Sequence, residues 1–313
     1  MPERVNISES NKNKPVMVLG SVAYDNIITP FAKGERILGG SASYAGLASS
    51  YFAPTRLVGV VGNDFDQKDM DRLKAQEIDL EGLEIDESGP TFFWAGRYHE
   101  NFNDRDTLET QLNVFESFNP TIPDSYRDTP YVLLGNIGPN LQNQVLDQLG
   151  DQAYIVADTM NLWINIMLAD LKKLLKRVHL LVLNDDESEM LTETSNVIIA
   201  GEKLREMGPE TVIVKKGSHG AILFHEAGRF SLPAYPVTDL RDPTGAGDSF
   251  AGALAAYLAA TDRTDFAAIK QAMLYATVVA SFTVEAFSCD RLESAGVAGI
   301  ESRREELLQF ILP

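Results

Sequence analysis

Between Tyr131 and Lys215 the chain repeats one pattern: a short, almost wholly apolar run, then a stretch with apolar residues at helical spacing. Tyr131-Val132-Leu133-Leu134-Gly135, Ala153 to Ala157, Leu180 to Leu183 and Thr211 to Lys215 are the runs. Asn140 to Leu149, Leu168 to Arg177 and Val197 to Met207 are the intervening helices. A strand that is apolar at successive positions has no solvated face, so it must be covered on both sides. Strands that alternate with helices predict a parallel sheet, because each crossover carries a helix over one face. The N-terminal part fits the same scheme. Pro15 to Gly20 reads as a first buried strand, Ser41 to Tyr51 as an Ala- and Ser-rich helix, Arg56 to Val61 as a strand and Phe65 to Gln76 as an amphipathic helix. The expected fold class is α/β: a doubly wound, mostly parallel central sheet with helices on both faces.

The alternation breaks once. Thr91 to Tyr98 and Gln111 to Phe118 are aromatic and read as extended, with a polar stretch, Glu100 to Glu109, between them. An antiparallel excursion is expected here. It would form a small β-rich lid, with segments roughly 21–36 and 89–118. Ala221 to Phe224 reads as a further strand, and small-residue helices fill Asp248 to Ala260 and Phe266 to Ala280. Residues 1–14 are polar and read as a flexible N-terminus before one domain over 15–313.

Composition narrows the function. The 313 residues carry a net charge of −18, which repels phosphodiester backbones and argues against a nucleic-acid partner. It also repels a nucleotide, so any such site must bring its own local donors. The single cysteine, Cys289, forms no internal disulfide, which fits a cytoplasmic setting. The first residues contain no apolar signal core. The longest uninterrupted apolar run, Ala251 to Ala260, falls well short of the ~20 residues that cross a bilayer, so no membrane association is expected.

The most informative segment is Arg241-Asp242-Pro243-Thr244-Gly245-Ala246-Gly247-Asp248-Ser249-Phe250, which leads into an Ala-rich helix. Gly245, Ala246 and Gly247 leave backbone N–H groups free to approach an anion at a helix N-terminus. Asp248 then follows in the first turn. A carboxylate beside a phosphate site is unfavourable unless it has work to do. Accepting a hydroxyl proton during phosphoryl transfer is such work.

Asp242-Pro243-Thr244-Gly245-Ala246-Gly247-Asp248 resembles the D-T-x-G-A-G-D-x-F motif of the ribokinase-like (PfkB) carbohydrate kinases. The resemblance implies an ATP-dependent, Mg2+-dependent phosphotransferase acting on a hydroxyl, a primary alcohol in relatives, of a sugar or sugar-like molecule. It makes Asp248 the catalytic base and Gly245, Ala246 and Gly247 the anion hole, and it places Thr244 at the nucleotide. Asp242 and Thr244 fall where some members bind a monovalent cation such as K+. Ala286 and Phe287 depart from the pattern that completes that cation site.

Gly39-Gly40-Ser41-Ala42-Ser43-Tyr44-Ala45, with Gly59 to Phe65, is similar to the family's N-terminal motif. By that match Gly39, Gly40, Ser41 and Tyr44 line the acceptor. Tyr44 stands where many members have Asn, which points to an acceptor other than ribose or fructose phosphates. Val18 to Asp25 resembles the family's first strand, whose Asp binds acceptor hydroxyls; a carboxylate can accept two hydrogen bonds from a diol. Leu183-Asn184-Asp185-Asp186-Glu187 matches N-x-x-E, placing Asn184 at the nucleotide and Glu187 on Mg2+ through water. Three acids in a row also read as a solvated helix start. Lys215-Lys216-Gly217-Ser218-His219-Gly220 resembles the nucleotide loop, with Gly217 and Gly220 in its turn and Lys215 or Lys216 reaching a phosphate; the lysines also read as solvated surface charge. Asp158 to Trp163 is similar to a D-x-N…W stretch near the acceptor.

Two other readings stay open. A nucleoside kinase of the same superfamily would use Tyr44, Phe92, Phe93 or Trp94 to stack a base. A non-catalytic sensor would bind a sugar or nucleotide without turnover and would have no need of Asp248. Lid edges pair protomers in relatives, which suggests a homodimer.

Overall fold

The computed structural model describes residues 14–102 and 104–312. The N-terminal stretch 1–13 lies outside the described residues. Lys14 is already tied to the body by an ion pair with Asp262 at 2.9 Å.

The strands are β1 (Val16–Leu19), β2 (Ala23–Ile28), β3 (Lys33–Gly39), β4 (Thr55–Gly62), β5 (Ile78–Asp86), β6 (Phe92–Tyr98), β7 (Arg105–Gln111), β8 (Tyr131–Leu134), β9 (Tyr154–Asp158), β10 (Leu180–Asn184), β11 (Thr211–Lys215), β12 (Ala221–His225) and β13 (Gly228–Leu232). Among the described residues they form a nine-stranded sheet, β13-β12-β11-β10-β9-β8-β1-β4-β5, and a four-stranded sheet, β3-β2-β6-β7. In the large sheet β10–β11 and every pairing from there to β5 are parallel. Only β11–β12 and β12–β13 are antiparallel.

Both faces of the large sheet are buried. Val16 and Val18 of β1 point into one apolar cluster, and Met17 and Leu19 into the other. Leu180/Val182 and Leu181/Leu183 divide in the same way. This two-sided burial is why the strands read as continuous apolar runs rather than alternating ones. One face is covered by helices Ser41–Ser50, Ala246–Thr261, Phe266–Thr283 and Gly296–Ile311, the other by Pro139–Leu146, Leu168–Leu175 and Val197–Glu206.

Two of these helices touch backbone to backbone. A Cβ on Gly252 would stand 2.2 Å from the Ala45 carbonyl oxygen, and Ser49 Oγ donates to the Gly252 carbonyl at 3.0 Å. The Ala- and Ser-rich compositions of both helices permit this approach.

Helix Phe266–Thr283 corrects one expectation. It is long and apolar enough, by length and composition, to cross a membrane, although no single uninterrupted run suggested it. In the fold it is a core helix, 72% buried and packed on Ala246–Thr261.

The lid differs from expectation in two ways. It is mixed rather than antiparallel: β2–β6 is parallel, whereas β2–β3 and β6–β7 are antiparallel. Its last strand lies at Arg105–Gln111, largely inside the stretch read as polar linker, while Asn113–Ser117, expected to be extended, is a 3₁₀ turn. Every residue of β7 is exposed, so no alternation marks it as a strand. The aromatic residues after it pack inward instead, Phe115 stacking on Phe92 at 5.2 Å between centroids.

Candidate active site

In the large sheet the chain runs from β1 to β4 on one side and later places β8 on the other side of β1. Such a switch opens a crevice beyond the C-terminal strand ends. Gly20 and Gly135 follow β1 and β8 there. A Cβ on Gly20 would lie 2.4 Å from Ser41 Oγ, so only glycine lets the helix Ser41–Ser50 start this close. Asp158, Asn184 and Lys215 end β9, β10 and β11 on the same edge.

The turn before helix Ala246–Thr261 faces these strand ends. Gly245 has φ +77°, and a Cβ there would lie 2.3 Å from the Tyr44 ring. Tyr44 is thus a buried platform under the turn. Its hydroxyl has no hydrogen-bond partner, and its pKa is pushed well up by burial, with Cys289, Asp242, Asp25 and Tyr98 acting on it. Of the three amides expected to bind an anion, that of Ala246 donates to the Pro243 carbonyl at 3.2 Å. Among the described residues no acceptor takes the N–H of Gly245 or Gly247. Lys215 Nζ approaches Gly247 so closely that a Cβ there would meet it at 2.9 Å.

Asp248 sits in the first helical turn, partly open to the crevice. Burial raises its pKa to about 6, with Asp158 adding to the rise and Lys215 and Arg105 opposing it. Asp158 is buried and lies 3.3 Å from Lys215 Nζ. Burial raises the Asp158 carboxyl despite that partner. Burial by itself would lower Lys215, but Asp158, Glu187 and Asp248 together hold its pKa above the usual value.

Asn184 and Glu187 form a reciprocal helix cap. Glu187 N–H donates to Asn184 Oδ1 at 2.7 Å, and Asn184 N–H donates to Glu187 Oε2 at 2.8 Å. The helix-start reading of this acidic run is therefore realised. Glu187 Oε1 has no protein partner among the described residues and remains available. Burial raises the Glu187 pKa to about 7, with Asp158 adding to it.

The acceptor-side residues lie where the lid meets the core. Asp25 of β2 is buried against Gly39, whose Cβ would overlap its carboxylate at 2.0 Å. Burial, then Asp242 and Asp248, raise the Asp25 pKa to about 8. Gly40, at φ +89°, turns against the Ser21 carbonyl. Ser41 is committed locally: its N–H donates to Ser21 Oγ and its Oγ accepts from Ser21 N–H, both at 3.1 Å. Asp242 is fully buried. Its Oδ1 accepts from Thr244 N–H at 2.9 Å and its Oδ2 has no partner. Gly217 and Gly220, at φ +51° and +82°, bracket a 3₁₀ turn at the end of β11, with His219 exposed.

Sequence reasoning missed two contributors from the lid, Tyr98 and Arg105, and named the third, Trp94, only as a base-stacking candidate. Thr244 Oγ1 donates to Tyr98 Oη at 3.0 Å, joining the end of β6 to the turn before helix Ala246–Thr261. Trp94 is in register with Asp25, and its ring lies over Gly96, where a Cβ would meet it at 2.1 Å. Arg105 begins β7 opposite Tyr98. A cavity of about 420 Å³ lined by Tyr24, Asn26, Arg36, Asp64 and Phe93 is separate from these acids. Arg36 fills part of it by stacking on Tyr24 at 4.0 Å.

The family described as pfkB family carbohydrate kinase matches residues 133–295. The cytidine kinase of Thermococcus kodakarensis is 28% identical over 245 residues, 76% of this chain and 86% of that protein. A Burkholderia thailandensis nucleoside kinase in complex with inosine superposes with TM-score 0.80 at 20% identity, covering 94% of this chain and 98% of that one. A putative ribokinase II from E. coli in complex with ATP and Mg2+ superposes with TM-score 0.78 at 20% identity, covering 94% and 99%. These likenesses establish a ribokinase-like fold.

Proposed function

This chain belongs to the pfkB family of carbohydrate kinases and is a phosphotransferase, and on that premise we propose that it moves the γ-phosphoryl group of ATP to a hydroxyl of a sugar or nucleoside, with Asp248 as base. One observation carries the reading. A carboxyl of raised pKa stands in the first turn of a helix at whose start the N–H groups of Gly245 and Gly247 meet no acceptor among the described residues, with Lys215 Nζ beside Gly247.

The steps follow from positions. Asp25 accepts hydrogen bonds from acceptor hydroxyls beside Gly39 and Gly40. Asp248 takes the proton of the reacting hydroxyl, whose oxygen attacks phosphorus in line. The amides of Gly245 and Gly247 and the ammonium of Lys215 face the charge that grows on the phosphoryl oxygens. Lid closure over the acceptor excludes water. Magnesium, when bound, would neutralise phosphate charge. Glu187 Oε1, left out of the helix cap, and Asn184 are the groups that would hold its water ligands. Among the described residues no three metal-binding side chains converge, which agrees with an ion held chiefly by water and phosphate. The orphaned Asp242 Oδ2 supports a monovalent cation at the neighbouring turn, which replacing K+ by tetramethylammonium in the assay would test.

A nucleoside acceptor is favoured by one feature. Trp94 presents its ring on the lid face that carries Asp25, so a base could stack on it while the ribose diol meets the carboxylate. The unpaired edges β3 and β7 support a lid-mediated homodimer, which sedimentation would read directly. Cys289, buried and unpaired, supports a reducing cytoplasmic setting.

The test is ADP release with pentoses, hexoses, inositols and nucleosides, for wild type and Asp248→Asn. The variant should lose at least ~10²-fold in turnover, the usual worth of a general base. Retained turnover would remove Asp248 from this role.

A further inference from the structure

The cleft holds five buried or half-buried acids, Asp25, Asp158, Glu187, Asp242 and Asp248, and Lys215, the cation that the core brings to it among the described residues, is already bonded to Asp158. A triphosphate entering it needs more positive charge than that. The lid brings a second cation. Arg105 opens β7, directly across from Tyr98 at the end of β6. Tyr98 is buried, and its hydroxyl accepts from Thr244 Oγ1 at 3.0 Å, one residue before Gly245. This contact fixes the far end of the lid sheet on the anion-binding turn. Arg105 lies cross-strand from Tyr98, and its guanidinium stands 5.7 Å from the Trp94 centroid. It makes no ion pair with any described residue. Its charge nevertheless acts on Asp25, Glu187 and Asp248, the groups assigned to the acceptor, the metal and the base. Through Tyr98 and Thr244, Arg105 stands beside the turn that leads into Gly245, and its charge is felt by the three groups around the place where the phosphoryl group must pass.

We propose that Arg105 is a catalytic residue delivered by the lid, its guanidinium gripping the peripheral oxygens of the transferring phosphoryl group when the cleft is closed. The inference rests on the kinase reading above. In the step it serves, the acceptor oxygen–phosphorus bond forms and the bond from phosphorus to the bridging oxygen of ADP breaks. ADP leaves with the electron pair, and the hydroxyl proton passes to Asp248. Arg105 exchanges no proton. It donates N–H bonds to oxygens whose charge grows, and its planar fork suits them better than an ammonium would.

The test compares full-length wild type with Arg105→Ala, Arg105→Lys and Arg105→Gln. Glutamine keeps a donor for Tyr98 but carries no charge. The first readout needs no acceptor: affinity for MgADP alone and for MgADP with fluoroaluminate, a mimic of the phosphoryl group in flight. Arg105→Ala and Arg105→Gln should lose on the order of 10²-fold for the fluoroaluminate complex, the scale of a lost transition-state donor, and little for MgADP. The second is the carboxyl ¹³C titration of Asp248. Asp158 and Lys215 still face it in the variants, and removing the Arg105 charge should move its midpoint upward. The third is turnover: kcat should fall with acceptor KM nearly unchanged, and added guanidinium should restore part of the Arg105→Ala rate. Wild-type-like behaviour of Arg105→Gln, or a change confined to acceptor KM, would overturn the proposal. A wild-type chain that binds MgADP and fluoroaluminate yet phosphorylates no acceptor would sink the kinase reading instead.

Discussion

The turn from Gly245 to Asp248 and the strand from Arg105 to Gln111 face one cleft, but they are held in place by opposite means. The turn rests on Tyr44, which is 1% exposed, and is followed by Ser249 and Phe250, both buried. The strand has no buried residue and joins the sheet through one neighbour, β6. The turn is therefore over-determined by packing, and the strand is held by ladder bonds and by the Thr244–Tyr98 link beneath it. On the proposed mechanism the turn supplies the chemistry that stays in place, and the strand supplies what arrives on closure, Arg105 included. Substitutions in the turn should strike kcat and stability together, whereas those in the lid should leave stability nearly untouched and strike affinity, closure or, at Arg105, kcat.

The sharpest way to break that contrast is Gly245→Ala. The added methyl meets the Tyr44 ring at a left-handed φ, so turnover should fall by about 10²-fold or more, the worth of an anion-hole donor, and the melting temperature should drop. A variant with normal melting and normal rate would show the turn to be as pliable as the lid. Asp25→Asn comes next, at the seam between the two regions. The folded pKa of Asp25, about 8, lies above its ordinary 3.8. Its stabilising protonation is therefore complete below pH ~4 and is lost as pH rises through 8. The ligand-free variant should be more stable than wild type at pH 8, by on the order of 2 kcal/mol, and indistinguishable near pH 4. Equal denaturation midpoints at both pH values would contradict the assignment.

Trp94→Ala probes the lid by itself. If a base stacks there, KM for a nucleoside should rise with about 1–3 kcal/mol of lost stacking, while kcat and a sugar's KM hold steady. Thr244→Val removes the bond to Tyr98 but keeps the backbone. It should cost about 1 kcal/mol, read as a roughly fivefold loss in kcat/KM with melting nearly unchanged. The smallest effect is expected from Leu108→Ser on β7, where 47% of the residue is exposed: stability should move by no more than about 0.5 kcal/mol. A large loss there would mean that this strand packs against something more than β6.

The same contrast explains what the sequence made legible. Val16 to Leu19 and Leu180 to Leu183 are apolar on both faces, so burial wrote the strands directly into composition. The glycine turn was equally readable, because Gly245, Gly247 and Asp248 each meet a separate local demand. β7 met no such demand. Its register against β6 also depends on an irregularity between Ala95 and Gly96, which places Arg105 opposite Tyr98 and which no local pattern announces. Asn184-x-x-Glu187 shows a third case. The spacing that resembled a nucleotide motif is also that of a capping box, and the structure uses both side chains in the cap while leaving Glu187 Oε1 free.

The backbone contact between Gly252 and Ala45 has a further consequence. The helix that carries Asp248 and the helix that begins behind the Gly39-Gly40 pair meet at Gly252 and Ala45 with no side chain between the two backbones and a Ser49 hydroxyl bond beside them, so the two halves of the proposed site share one chassis. The gap between the proposed base and the proposed acceptor site is then set by peptide thickness, a length that side-chain evolution along this seam can widen but not shorten. Acceptors of different size must be accommodated from above, by reshaping the lid, rather than by moving the floor.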